Sequence, residues 1–227
     1  LIAASLLTDE PVVLENVPDI ADVSTMVEIA RMLGAGIEWD KPNRNLTIRA
    51  AGIRTQAPDE ALSRKLRGSI LFSGALLARF RRATLSYPGG DAIGARPLST
   101  HLNALRALGV NVEEGERIVL DGGAMAGADI MLEEPSVTAT ENTILAALAT
   151  PEETTIRLAA FEPHVQELVR FLRAMGADVE WRPGLRIAAR GGKKLRGGRH
   201  RINADEVEVS SFATLAAATR SEMALEN

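Results

Sequence analysis

The sequence predicts an α/β fold of three similar units arranged around a pseudo-threefold axis. Three segments share one pattern, in which apolar residues at helical spacing are followed by a Gly and then by an alternating, strand-like run. A second strand-like run follows each segment, and a helix rich in small apolar residues with its own strand precedes it. Helices that are apolar on most sides need cover from more than one direction, so we expect sheets to enclose them.

Each unit can be divided into two halves. The first half is an apolar helix that leads through a polar turn into a strand, predicted at 1–7 with 12–14, 70–78 with 83–86, and 144–149 with 155–158. The second half is the helix–Gly–strand segment, predicted at 26–39, 101–114 and 167–181, with closing strands at 46–49, 118–120 and 185–188. Gly34, Gly109 and Gly176 stand where a helix C-cap needs the left-handed conformation.

A fourth apolar helix, predicted at 212–218, leads into 223–227, where the sequence stops. The sequence starts at Leu1 rather than at a Met. A unit that begins and breaks off indicates a piece of a longer protein. We therefore expect a first domain over 1–203, with repeats at about 1–69, 70–142 and 143–203, and the opening of a second domain over 204–227.

Composition excludes several kinds of site. An apolar fraction of 46% with 25% charged residues is ordinary for a globular protein. No apolar run approaches the roughly 18 residues of a membrane-spanning helix. The chain has no Cys, which excludes disulfides, thiolate metal ligands and thiol catalysis within it, and its three His residues share no metal-binding spacing.

Basic residues are concentrated between Ala61 and Val110, although the net charge of the chain is −4. The only acidic side chain in this window is Asp91, and its basic residues are Arg64, Lys65, Arg67, Arg79, Arg81, Arg82, Arg96 and Arg106. A local basic field in an acidic protein favours a compact anionic ligand over a nucleic acid. A solvated basic face explains the composition equally well.

The stretch Tyr87–Pro97 holds three Gly and two Pro between a predicted strand and a predicted helix, which indicates a shaped loop. We predict that Pro97 starts the helix, which places Arg96 beside a helix N-terminus, and both features favour a phosphate. Asp91 is then a candidate proton donor or acceptor. The alternative is a Gly-rich turn in which Asp91 caps a neighbouring N–H.

Three other polar stretches have simple structural explanations as well as functional ones. The stretch 134–142 offers hydroxyls that could hold a diphosphate or only cap the next helix, and capping is the stronger explanation from the residues alone. The cations of 63–69 could bind an anion or form a solvated helix start. Asp205 and Glu208 near the start of the last helix are explained by the helix dipole.

Taken together, these segments resemble the UDP-N-acetylglucosamine 1-carboxyvinyltransferase family of enolpyruvyl transferases along essentially the whole chain. The most specific match is Pro-Gly-Gly-Asp-Ala-Ile-Gly-Ala-Arg-Pro at 88–97, and further matches are 6–12, 16–19, 135–142, 162–163 and 171–177. The resemblance implies an inside-out α/β barrel domain. It also implies two such domains with the active site between them, so that this chain supplies the first domain, about half of the enzyme.

The resemblance also implies roles for individual residues. Asp91 falls on the position of a catalytic loop residue, usually Cys, that donates a proton and assists phosphate release. Arg67 and Arg96 fall on arginines that hold anionic groups. The segments that hold the UDP-sugar correspond to Arg96, Pro97, Leu98, Ser99 and Thr100, and to Glu134, Pro135, Ser136 and Val137. Glu162, Asp205 and Glu208 are secondary candidates.

The implied reaction transfers enolpyruvate from phosphoenolpyruvate to UDP-N-acetylglucosamine in the cytoplasm, at the entry to peptidoglycan synthesis. The implied partners are these two small molecules and a second domain of the same chain, with no metal, cofactor, nucleic acid or membrane. Because a carboxylate is a weaker nucleophile than a thiolate, Asp91 also predicts that fosfomycin forms no covalent adduct of its usual kind.

The sequence departs from the family pattern at several positions near these segments. Ser99 replaces a usual Asp, Glu134 a usual Lys, Thr138 a usual Gly and Glu206 an Arg, while Phe161 and His164 change Arg-Glu-Pro-Glu to Phe-Glu-Pro-His. These departures leave open a second hypothesis, a binding or regulatory module that has lost catalysis. A third hypothesis is the sister enzyme that acts on shikimate 3-phosphate.

Overall fold

A computed structural model describes residues 1–90, 94 and 96–225. Its α-helices are α1 (Ala21–Leu33), α2 (Glu60–Ser63), α3 (Leu71–Phe80), α4 (Ser99–Ala107), α5 (Val137–Ala147), α6 (Pro163–Ala174) and α7 (Glu206–Thr219). Its strands are β1 (Val12–Glu15), β2 (Gly36–Asp40), β3 (Asn45–Arg49), β4 (Arg82–Leu85), β5 (Asn111–Glu114), β6 (Ile118–Asp121), β7 (Asp129–Met131), β8 (Thr154–Arg157), β9 (Asp178–Arg182), β10 (Arg186–Arg190) and β11 (Gly198–Arg201). Short 3-10 helices span Ala4–Leu7, Ala50–Gly52 and Arg67–Ile70.

The strands form three sheets with one common plan, in the orders β11-β1-β3-β2, β4-β6-β5 and β7-β8-β10-β9. Each sheet contains three antiparallel strands of one unit, with the last strand of the unit in the middle. Two of the sheets have a fourth strand, because β11 pairs in parallel with β1 and β7 pairs in parallel with β8. The three-unit α/β fold predicted from the repeats is therefore confirmed, as three separate sheets in the described part of the chain.

One apolar helix from each unit lies in the interior. These are the 3-10 helix Ala4–Leu7, α3 and α5, and every residue from Phe72 to Leu77 is buried. The surrounding core consists mainly of Leu, Ile, Val and Ala side chains. Full burial of a Leu, Ile or Val side chain stabilises the fold by about 1.5–3 kcal/mol. The expected enclosure of these helices by sheets is confirmed.

The three predicted C-cap glycines all adopt the left-handed region. Their φ angles are 111° at Gly34, 84° at Gly109 and 94° at Gly176. In each unit the residue after the Gly donates its N–H to a carbonyl five residues earlier, with distances of 3.0, 3.1 and 2.9 Å. This shared cap turns each outer helix directly into the next strand.

The structure corrects three sequence predictions about element boundaries. α4 begins at Ser99 after the N-cap Leu98, so Pro97 precedes the helix instead of starting it. α5 begins at Val137, before the predicted start, because Ser136 caps it. Residues 221–225 form no strand, because no strand within the described residues lies beside them to complete a ladder. Among the described helices, none is long and apolar enough to cross a membrane.

Candidate functional site

The base of the Gly-rich loop lies directly on the turn that contains Arg67. The Gly89 N–H donates to the Ser63 carbonyl at 3.2 Å. A Cβ atom at Gly89 would lie 1.6 Å from the Arg64 carbonyl oxygen, and Gly90 has a φ of +106° with the Arg67 nitrogen 3.2 Å from an added Cβ. Larger residues would therefore push the loop off this turn. Asp91, which follows Gly90, lies outside the described residues, so its proposed role rests on the sequence.

Arg67 and Arg96 share the wall of a cavity of about 400 Å³ with Leu98 and Ser99. The Arg67 guanidinium donates to the Pro97 carbonyl at 2.8 Å, which fixes it beneath the segment that leads into α4. Burial, and then the positive charge of Arg96, lower the pKa of Arg67. Two guanidinium groups that repel each other at a cavity wall attract an anion, which relieves the repulsion.

The basic window of the sequence contains cations that are paired within the fold and cations that have no carboxylate partner among the described residues. Arg64 pairs with Glu60, Arg79 with Asp9, and Arg106 with Glu114, and this last pair also lines the cavity of Arg67 and Arg96. The Arg81 guanidinium donates to the carbonyls of Met125 and Ala149. Neither Arg67 nor Arg96 forms an ion pair with a carboxylate of the described residues. Part of the predicted basic field thus holds the fold together, and part of it is available to an anionic ligand.

Glu133 joins the start of α4 to the segment before α5. Its carboxylate accepts hydrogen bonds from the hydroxyls of Ser99 at 2.9 Å and Thr100 at 3.3 Å, and from the Asn103 amide. These hydrogen bonds, with that of Asn103 the strongest influence, lower the pKa of Glu133. Sequence reasoning missed this residue, because one more acid in an acidic stretch carries no distinguishing pattern.

The first turn of α5 completes the neighbourhood. The Ser136 hydroxyl accepts the Ala139 N–H at 3.4 Å, which confirms the predicted cap. The Thr138 hydroxyl lies 3.2 Å from Nε2 of His101 on α4. The contact between Arg67 and Pro97 places the turn at Arg67 beside residues Arg96–Thr100. The contacts of Ser99 with Glu133 and of His101 with Thr138 place the residues that flank Glu134–Val137 beside the start of α4, although none of Glu134–Val137 lines the cavity of Arg67 and Arg96.

The secondary candidates lie elsewhere. Asp205 is the N-cap of α7 and accepts the N–H groups of Val207 and Glu208, as the helix-dipole explanation predicts. Asp205 and Glu208 line a larger cavity of about 790 Å³ between α7 and the rest of the chain. Glu162 is exposed at the N-cap of α6 and its side chain makes no capping hydrogen bond. None of the three lines the cavity of Arg67 and Arg96.

Two of the departures from the family pattern meet in one contact. His164 Nδ1 lies 2.7 Å from a carboxylate oxygen of Glu206, linking α6 to α7. The family pattern has an acid at the first position and an Arg at the second, whereas here the acid is at the second position. Phe161 packs edge-on against Trp181 with ring centroids 4.8 Å apart. These substitutions are thus accommodated by packing.

No group of three or more His, Asp or Glu side chains within residues 1–90, 94 and 96–225 is arranged to hold a metal ion. The site described here consists of guanidinium, hydroxyl and carboxylate groups around a cavity that Leu98 and Leu102 also line. Such groups can bind and orient a phosphate-bearing ligand and stabilise negative charge that develops on it.

Curated relatives extend this description. The chain is 47% identical over 223 residues to UDP-N-acetylglucosamine 1-carboxyvinyltransferase of Bradyrhizobium diazoefficiens, covering 98% of this chain and 52% of the relative. It is 43% identical to the protein of the same name in Treponema denticola, with the same coverage of both chains. The chain thus spans about half the length of the curated relatives it matches.

Solved structures share the fold. The enolpyruvyl transferase NikO from Streptomyces tendae superposes with a TM-score of 0.81 at 24% identity, over 93% of this chain and 50% of that chain. EPSP synthase from Acinetobacter baumannii superposes with a TM-score of 0.74 at 24% identity, over 96% of this chain and 50% of that one. The family model for EPSP synthase (3-phosphoshikimate 1-carboxyvinyltransferase) matches residues 1–227. The chain therefore belongs to the EPSP synthase family.

Proposed function

We propose that this chain is the first domain, 1–203, and the opening of the second domain of an enzyme of peptidoglycan synthesis. The enzyme transfers the enolpyruvyl group of phosphoenolpyruvate to the 3-hydroxyl of UDP-N-acetylglucosamine and releases phosphate. The observation that carries the proposal is one cavity lined by Arg67 and Arg96–Ser99, whose two guanidinium groups have no carboxylate partner among the described residues. Glu133, which directly precedes the segment Glu134–Val137, accepts a hydrogen bond from Ser99 at this cavity. The 47% identity to a relative of that name supports the choice of substrates.

The proposed mechanism is addition followed by elimination. Asp91 donates a proton to the methylene carbon of phosphoenolpyruvate, which leaves a cation at the adjacent carbon. The sugar hydroxyl adds to that cation and loses its proton. Removal of a proton from the new methyl group and departure of phosphate then restore the carbon–carbon double bond. Arg67 and Arg96 stabilise the negative charge on the substrates and on the departing phosphate.

The experiment that tests this proposal measures phosphate release by the full-length parent protein given both substrates. We expect release by the parent and a loss of about a hundredfold or more in an Asp91→Ala variant, because that variant lacks the general acid. Asp19→Ala, which removes an exposed carboxylate paired with Lys41, is the matched control and keeps the parental rate. Equal rates in both variants would show that Asp91 is not the general acid.

The two remaining hypotheses give different results in the same assay. Release with shikimate 3-phosphate in place of the UDP-sugar would favour the sister enzyme, after which the matching family model is named. Binding of the UDP-sugar without any release would favour a module that has lost catalysis, as the departures at Ser99, Glu134 and Thr138 suggest. The 227-residue chain by itself should release no phosphate, because the groups of the second domain are needed to close the site.

Fosfomycin provides an independent test of the Asp91 assignment. We expect the full-length enzyme, after incubation with the drug, to show no stable mass increase on the peptide that contains Asp91, because the loop offers a carboxylate instead of a thiolate. An Asp91→Cys variant is the positive control and should gain the covalent adduct. An adduct on Asp91 itself would contradict the prediction.

A further inference from the structure

The His101 side chain lies between the two helices whose first turns form the candidate site. It is 3% exposed, and its Nε2 atom lies 3.2 Å from the Thr138 hydroxyl. Its Nδ1 atom lies 3.5 Å from the side-chain nitrogen of Asn142, about one turn further into α5. The imidazole therefore links α4 to α5 at the level of the predicted ligand segments.

The surrounding hydrogen bonds determine which ring nitrogen carries the proton. The Asn142 side-chain oxygen accepts the Gly74 N–H at 2.8 Å, so its NH₂ group faces Ser73 and His101. Because that NH₂ group donates, Nδ1 of His101 accepts, and the single proton of a neutral ring is on Nε2. Burial, and then the charge of Arg67, lower the pKa of His101 to about 4, which agrees with a neutral ring.

This arrangement orients the Thr138 hydroxyl. Nε2–H of His101 donates to the Thr138 oxygen, so the hydroxyl proton of Thr138 points away from the imidazole and can donate to another group. Thr138 is partly exposed and directly follows the segment Glu134–Val137. No other hydrogen bond joins its side chain to the described residues.

We infer that His101 is a positioning residue that orients the Thr138 hydroxyl to donate a hydrogen bond to a phosphate oxygen of the nucleotide sugar. This inference rests on the proposed function, from which it takes the ligand of the neighbouring segment. A hydroxyl at position 138 then supplies a ligand contact that the usual Gly of the family pattern lacks. His101 touches no substrate and acts through Thr138.

The test measures KM and kcat of the full-length parent protein with UDP-N-acetylglucosamine and phosphoenolpyruvate. Thr138→Val removes the hydroxyl and keeps the shape of the side chain. We expect its KM for the nucleotide sugar to rise about tenfold, the usual effect of losing a hydrogen bond to a charged group, while kcat and the KM for phosphoenolpyruvate stay within about twofold. Thr138→Ser should restore the parental KM.

Thr143→Val is the matched control. Thr143 lies in the same helix, but its hydroxyl donates to the Ala139 carbonyl of α5 at 2.7 Å and faces no ligand segment.

His101→Gln places an NH₂ group near the position of Nε2 and should keep the KM within about threefold. His101→Leu should raise the KM as Thr138→Val does, and the double variant should be no worse than either single variant, because both remove one contact.

The outcomes separate this inference from the proposed function. An active parent whose KM is the same in Thr138→Val and Thr143→Val would overturn the inference and leave the proposed function standing. A loss of thermal stability in Thr138→Val without a change in KM would show a structural contact only and would also overturn it. A parent that neither binds the UDP-sugar nor releases phosphate would overturn both.

Discussion

Helices α5 and α7 are both rich in Ala and Thr, and both begin with a side-chain N-cap, at Ser136 and Asp205. Their surroundings are opposite. In α5 most residues are buried between α3, α4 and a sheet, whereas no residue of α7 is buried. Leu145 of α5 is 2% exposed, while Leu215 of α7 is 50% exposed.

The difference shows what an interior helix of this fold depends on. The sequence of α7 suits the centre of a three-sheet domain, but no sheet of the described residues covers it. Three of its apolar side chains, Val207, Val209 and Phe212, instead line the larger cavity together with Met223, which follows the helix. Under the proposed domain arrangement, α7 is the first interior helix of the second domain and gains its cover from the rest of that domain.

The largest expected effect comes from the same substitution in the two helices. Leu145→Ala should lower the free energy of unfolding of the 227-residue chain by about 3 kcal/mol, since it leaves a cavity in the core. Leu215→Ala should change it by less than about 0.5 kcal/mol, because the side chain is already half in water. Urea unfolding followed by circular dichroism measures both values.

The full-length parent protein sharpens this comparison. There, Leu215→Ala should cost about 2 kcal/mol or more, because the second domain would bury the side chain. If the cost of Leu215→Ala stays below about 0.5 kcal/mol in the parent, α7 is not an interior helix and the proposed opening of a second domain at 204 is wrong.

A smaller effect concerns the buried imidazole of His101, which links α4 to α5, whereas the His164 side chain that contacts α7 is partly exposed to solvent. The pKa of His101 is about 4 in the folded chain and near 6.5 when unfolded, so the unfolded state binds the proton first. The stability contributed by the neutral ring is complete above about pH 6.5 and is lost as the pH falls toward 4. Between pH 7 and 4.5 this loss amounts to about 2 to 3 kcal/mol.

His101→Gln removes the titrating group and keeps a hydrogen-bonding side chain at the position. The variant should therefore lose about 2 to 3 kcal/mol less stability than the parent chain over the same pH interval. Denaturant unfolding at pH 7 and pH 4.5 gives the comparison. Parallel losses in the two proteins would mean that the pKa of His101 is the same in the folded and unfolded states.

The smallest effect concerns the two N-caps. Ser136→Ala should lower the global free energy of unfolding by about 1 kcal/mol, because α5 unfolds only with the whole domain. Asp205→Ala should leave global stability unchanged and instead speed amide hydrogen exchange in Val207–Thr219, because α7 can fray alone. Hydrogen exchange read by mass spectrometry resolves the two segments. A global loss from Asp205→Ala would show that α7 is coupled to the domain.

Much of the fold could be predicted from local pattern. The repeated helix–Gly–strand segments located the outer helices and their strands, and Gly34, Gly109 and Gly176 were predicted as caps because few residues other than Gly adopt positive φ without strain. Boundaries were less predictable. Pro97 is compatible with the first position of a helix, but the hydrogen bond from Arg67 to its carbonyl holds it outside α4.

The candidate site also contains some residues that could be predicted from the sequence and some that could not. Arg67, Arg96 and the segment 134–137 were found from charge, Gly and hydroxyl patterns, and from the resemblance. Glu133 and His101 were not found, because their hydrogen-bonding partners lie 30 or more positions away in the chain. The pair of His164 and Glu206 could be recognised as one contact only when α6 and α7 were placed together.

By itself, the sequence determined the three-unit repeat, the apolar interior helices and the Gly-rich loop, because helix periodicity, positive φ and close backbone approach are properties of a few neighbouring residues. The tertiary structure decided which cations are paired, which hydroxyls face the cavity, and that α5 is buried while α7 is not. Those properties depend on which distant segments are adjacent in the folded chain, and burial and electrostatic interactions act only between groups that packing has brought within a few ångströms of each other.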